Sequence, residues 1–175
     1  MIEEKTLIEY IRTSTADVFS TMLGIEVSSQ PEFSDLNAPT VSDGVLALVG
    51  IAGSWAGTGA ISCSAAFACR ICNQFLMSDA VSVNEEVLDA VGEVANMIIG
   101  NFKTMIEEHL GPLGLSIPTV IYGRNFTSRS LGTNSWMVLP FRCESETITI
   151  RCCLSPAKEP NSVRGGFTHA SALLV

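Results

Sequence analysis

The stretch from Asn84 to Leu110 runs without proline and constrains the chain most. Laid out at about 100° per residue, Val87, Leu88, Val91, Val94, Ala95, Ile98, Phe102, Met105 and Ile106 fall in one arc of ~120°. That arc is the face a long helix must bury. The opposite face carries Glu86, Asp89, Glu93, Asn96, Gly100, Lys103 and Glu107, which follow one another by alternating steps of three and four. The spacing projects Glu93 and Asn96 into solvent together, one turn apart. A polar stripe on a long helix is ordinarily only a solvated face, but two residues fit that reading badly. Asn is a middling helix former and gains nothing mid-helix in water. Gly100, one turn beyond Asn96, costs about 1 kcal/mol relative to Ala inside a helix. It removes bulk beside Asn96, as if another surface had to come close. Met97 flanks the stripe and reads as an exposed, flexible apolar contact residue.

The rest of the chain reads as elements that could receive this helix. Leu7 to Leu23 has helical apolar spacing and ends at Gly24. Ile25-Glu26-Val27 can begin a strand, and a polar loop with Pro31 and Pro39 follows. Gly44–Ala52 and Gly57–Ser64 are apolar, glycine-punctuated runs expected to be two strands joined by a short turn. A short helix at about Phe67–Met77 precedes the long one, and Ser116–Gly123, Ser135–Cys143 and Glu146–Leu154 read as strands. The order is helix–strand–strand–strand, then helices–strand–strand–strand. This points to a duplicated α+β unit, and Asp17–Gly24 aligns without a gap on Glu93–Gly100. The expected domain covers 1–156, with a polar tail over 157–175; neither that tail nor the 28–43 loop carries a functional reading.

With 18 acidic against 10 basic residues and a net charge of −8, the chain is poorly suited to nucleic acid or anionic membrane surfaces. Its longest apolar stretch, Val45–Ala52, is far short of the roughly 20 residues that cross a bilayer. The N-terminus is acidic where a signal peptide would be basic. A cytoplasmic protein is expected. There is no Gly-x-Ser-x-Gly elbow and no Gly-x-Gly-x-x-Gly loop. Six cysteines are expected to be small buried hydrophobes. A thiol-redox or metal-sensing alternative would use Cys69, Cys72 and either Cys152 or Cys153, but adjacent strand residues point to opposite faces.

Asp89-x-x-x-Glu93-x-x-Asn96 resembles the signature helix of the CheX/CheC/FliY family of bacterial chemotaxis phosphatases. In that family a proline follows some twenty residues later, and here 21 residues separate Asn96 from Pro118. The resemblance covers most of the chain. It implies a six-stranded, mainly antiparallel sheet packed by long helices, built from a duplicated helix-plus-three-strands unit. CheC-like members carry two Glu-x-x-Asn motifs and CheX-like members one. Here the first repeat offers only Asp17 and Ser20, so a single site and a CheX-like homodimer are implied.

The implied substrate is the phosphoaspartate of a CheY-type receiver, with Glu93 and Asn96 as the catalytic pair and Asp89, Met97, Gly100 and Lys103 as the partner-binding surround. A carboxamide can accept from a water while donating to a phosphoryl oxygen, which suits Asn96 to orienting the nucleophile. A carboxylate beside a phosphoryl group would repel it, so Glu93 is read as gripping a receiver lysine. The Mg²⁺ would sit in the receiver's acidic pocket, with no cofactor bound by this chain. A non-catalytic module docking on a phosphorylated receiver or flagellar switch component would share the same stripe.

Overall fold

The computed structural model describes residues 2–127 and 135–157. Helix α1 spans Glu4–Leu23. Short strands β1 (Ser28–Ser29) and β2 (Phe33–Asp35) follow, then the long strands β3 (Thr40–Gly53) and β4 (Trp55–Cys63). Helices α2 (Ala65–Leu76) and α3 (Glu85–Leu110) lead into β5 (Leu113–Leu115), β6 (Thr119–Thr127), β7 (Trp136–Cys143) and β8 (Glu146–Pro156).

The strands make one antiparallel sheet in the order β1–β7–β8–β4–β3–β5, with β2 also on β7 and β6 also on β3. The eight segments therefore fill six positions, as expected, arranged symmetrically about the β8–β4 pair. Each half sends its first strand, in two pieces, across to the other half: β1 and β2 pair with β7, and β5 and β6 pair with β3. This exchange is how the duplicated element order is realised in space.

Pleat alternation separates two cores. Val45, Ala47, Val49, Ile61, Leu139, Phe141, Ile148 and Ile150 face the helices, where they join Ile11, Phe19, Phe67, Ile98, Phe102 and Ile106. Leu46, Ala60, Trp136, Val138 and Cys153 form a smaller buried cluster on the opposite side. Adjacent Cys152 and Cys153 thus point to different faces, as their strand placement requires. All six cysteines are buried and free. Burial pushes the Cys63 thiol up to about 12, with Glu146 and Cys69 nearby adding to the effect, and burial raises Cys152 as well. A thiol held protonated is a poor nucleophile and a poor ligand, so Cys63 and Cys152 serve the packing of the core they line.

Three expectations are corrected. The polar 28–43 segment contains β1, β2 and the start of β3, while Ile25–Val27 precedes the first strand. The run at Ser116–Gly123 is broken: β5 ends at Leu115 and β6 begins at Thr119. Ser116 anchors that break, its N–H donating to the Gly50 carbonyl and its Oγ accepting from the Gly50 N–H. On α3, Met97 is only half-exposed and packs against the main core, and Ala90, Gly92, Ile99 and Leu110 are buried beyond the expected arc. A helix on a flat support buries one arc. Here α3 touches α1 and α2 as well as β3 and β6, so its buried face is wider. The tail from residue 158 onward lies outside the described residues. No described helix is long and apolar enough to cross a membrane.

Candidate functional site

The site is presented by α3, and both helix ends are tied down. At the start, the Asn84 side chain accepts from the Val87 N–H at 2.9 Å, satisfying one of the donors a helix N-terminus leaves open. Toward the end, Lys103 pairs with Glu107 at 2.9 Å, and the Glu107 carboxylate also accepts from the Leu113 N–H at 2.8 Å. The Leu113 hydrogen bond, then Lys103, holds the Glu107 carboxyl below its ordinary range. Lys103, expected at the partner-binding rim, is thus committed to an intramolecular pair that joins α3 to β5.

Between these anchors the polar stripe reaches solvent. Asp89 and Glu93 are exposed, and Asn96 and Gly100 are half-exposed. Among the described residues, the Asp89 and Glu93 carboxylates and the Asn96 carboxamide have no hydrogen-bond or ion-pair partner. An Asn mid-helix that bonds neither its own backbone nor a neighbour has its full donor and acceptor capacity available. Gly100 is not demanded by packing: a Cβ there would meet only Leu115 Cδ1, at an ordinary 3.9 Å. The smooth surface beside Asn96 therefore has no packing explanation among the described residues.

Pro118 sits by the same stripe. A Cβ at Gly92 would lie 3.1 Å from Val120 Cγ2 and 3.7 Å from Pro118 Cβ, so Gly92 lets α3 pack tightly on β6 and the proline before it. A groove runs along this contact, with Leu88, Gly92, Pro118 and Val120 lining it and Glu85, Asp89 and Glu93 at its rim. Glu93 belongs to both stripe and groove. The groove leaves no local signal in the sequence because its two walls are far apart in the chain, although the downstream proline marks one of them.

The first half has a counterpart. Extending the ungapped alignment places Glu9 on Glu85, Arg12 on Leu88, Thr13 on Asp89 and Ala16 on Gly92. A second groove lies there, between α1 and β2, lined by Glu9, Arg12, Glu32 and Phe33 among others. Arg12 bridges it, donating from Nη1 to Glu9 at 2.7 Å and from Nη2 to Glu32. Asp17 and Ser20, on the positions of Glu93 and Asn96, are exposed, and the Ser20 hydroxyl donates to its own helix at the Asp17 carbonyl. Among the described residues no group of three or more His, Cys, Asp or Glu gathers as a metal site.

The fold is shared with known proteins. No curated protein sequence matches the chain. Among solved structures, a putative chemotaxis protein from Desulfovibrio vulgaris Hildenborough is 25% identical with a TM-score of 0.78, over 89% of this chain and 100% of that one. A chemotaxis protein CheX from Desulfovibrio desulfuricans is 26% identical with a TM-score of 0.76, over 86% and 99%. A CheX from Borrelia burgdorferi, solved in complex with CheY, BeF3 and Mg²⁺, shares the fold at 22% identity and a TM-score of 0.70, over 85% and 97%. The family model described as chemotaxis phosphatase CheX matches residues 45–142, a span holding α3, its polar stripe and both walls of the groove. This chain belongs to the CheX family of chemotaxis phosphatases.

Proposed function

We propose that the protein hydrolyses the phosphoaspartate of a CheY-type receiver, with Asn96 orienting the attacking water and Glu93 gripping a lysine of the receiver. The observation that carries this reading is the unpartnered Glu93–Asn96 pair on a helix anchored at both ends, in a family of phosphatases. The relative from Borrelia burgdorferi crystallised with CheY, BeF3 and Mg²⁺ supports the choice of partner.

Water oxygen forms a bond to phosphorus while the P–O bond to the aspartyl carboxylate breaks, releasing inorganic phosphate and the free carboxylate. An in-line water is the geometric requirement, and charge on the equatorial oxygens is the electrostatic one. The Asn96 carboxamide oxygen accepts from the water and its nitrogen donates to a phosphoryl oxygen. The group carries no charge to repel the phosphoryl and does not titrate near neutrality. Mg²⁺ bound in the receiver's own pocket would supply charge neutralisation. Asp89, Met97, Gly100 and Lys103 surround the pair as the docking surface, with Met97 supplying its exposed half and Lys103 a charge already shared with Glu107. A homodimer would find open sheet edges to pair on, the outer side of β6 among them.

Decay of a phosphorylated receiver with the protein at one-hundredth of its concentration separates turnover from docking. Complete dephosphorylation is expected. A protein that binds the receiver without accelerating decay would be a docking module, and the catalytic reading would fall.

A further inference from the structure

We propose that the groove between α3 and β6 seats an apolar side chain of the receiver, with a basic group of the same receiver surface lying over Asp89. This rests on the receiver reading above and extends it to the determinants of docking.

The groove is continuous with the proposed site, because Glu93 forms part of its rim. Its floor is apolar, made by Leu88, Pro118 and Val120, and the glycine at 92 lets helix and strand close to contact there. Beside it, Ile117 is 88% exposed. That exposure is held in place. The Ser116 N–H donates to the Gly50 carbonyl at 2.9 Å, and its Oγ accepts from the Gly50 N–H and donates to the Ile117 carbonyl, each at 2.8 Å. An isoleucine exposed to water one residue before the groove-lining Pro118 loses its hydration cost only when something covers it.

The charge at the rim selects what can do so. Glu85 and Glu86 lie in the first turn of α3, where the helix dipole favours acids. Asp89 and Glu93 lie beyond that turn and are unpaired among the described residues, so the dipole does not account for them. A surface bearing a cation beside an apolar group complements both features, whereas an anionic ligand would be repelled. The first half supplies the contrast. Its groove carries Arg12 at the position of Leu88, and that guanidinium bridges to Glu32 across the opening. In one groove an internal cation pairs with the acids at its sides; in the other the acids are left for a cation from outside.

The test uses the full chain, a CheY-type receiver loaded with beryllofluoride and Mg²⁺ for binding, and the phosphorylated receiver for turnover. Ile117→Ser should raise both Kd and KM about five- to tenfold with kcat kept within about twofold, the effect of uncovering one apolar side chain at a contact. Leu88→Arg, which copies the first half, should weaken binding further. Should that variant fail to fold, the exposed Ile117 position still decides. Unchanged Kd and KM in Ile117→Ser would overturn the proposal, as would a loss of kcat at constant KM. A change in the protein's own oligomeric state at constant receiver affinity would assign the groove to a second copy instead and also overturn it. If the wild-type protein neither binds nor dephosphorylates a receiver, the functional reading itself fails, and the groove proposal falls with it.

Discussion

Helices α1 and α3 open the two halves of a symmetric sheet, and among the described residues the unpartnered Glu–Asn pair stands on α3. The side chains at aligned positions make the difference. On α3, Glu93 and Asn96 have no partner among the described residues; on α1, Asp17 and Ser20 stand in their places, and Ser20 bonds its own helix. The groove beside α3 is lined by Leu88 and left open, while the one beside α1 is bridged by Arg12. The helix starts also differ: Asn84 caps α3 with its side chain, and Glu3 provides α1 with no such cap. Duplicating a backbone copies a scaffold, whereas a site needs particular side chains left unsatisfied by the fold around them.

The contrast can be broken or sharpened at several positions. The largest effect is expected for Asn96→Ala, with kcat for the phosphorylated receiver falling about 10²-fold or more, the scale of losing one well-placed polar group at a reacting centre. Its affinity for a beryllofluoride-loaded receiver, measured by calorimetry, should change little. Glu93→Ala should weaken that affinity by about 1.5–3 kcal/mol, the range for a hydrogen bond to a charged group. Loss of turnover at unchanged affinity would transfer Glu93 from gripping to chemistry. Asn84→Ala should lower unfolding stability by about 1 kcal/mol in a denaturant titration, and Glu3→Ala should leave it unchanged. Arg12→Leu removes a partly exposed ion-pair pair of contacts and should cost at most about 1 kcal/mol, with turnover intact. A drop in turnover there would mean the α1 groove contributes to function.

The helices were legible because their periodicity is long and their stops are chemical. The Asn84 cap and the Gly24 terminus bracket α3 and α1 where the apolar spacing places them. The strands of the sheet centre were legible from their own pattern, since β3, β4 and β7 are rich in apolar residues and β8 alternates Thr147/Ile148/Thr149/Ile150. The edge pieces were not. β1 has two exposed residues and β2 three that are exposed or half-buried, so neither shows the alternation that marks a strand with one buried face. Pro118 was recognised by its distance from Asn96, but its packing beside Gly92 depends on the register of β6 on β3, which no local pattern encodes. A helical wheel assumes one supporting surface and so leaves Met97 exposed, whereas α3 has neighbours on its flanks too. The candidate pair itself was visible as a break from good helix chemistry: an Asn and a Gly where Lys or Ala would serve a solvated face better. The cation in the α1 groove is legible too, since the repeat carried a few residues toward the N-terminus sets Arg12 against Leu88.

The most direct measurement is the decay of a phosphorylated CheY-type receiver with catalytic amounts of wild-type protein, Asn96→Ala and Ser20→Ala side by side. A single working site on α3 predicts fast decay with wild type and with Ser20→Ala, and decay at the receiver's own rate with Asn96→Ala. Full turnover by Asn96→Ala, or its loss in Ser20→Ala, would contradict the account.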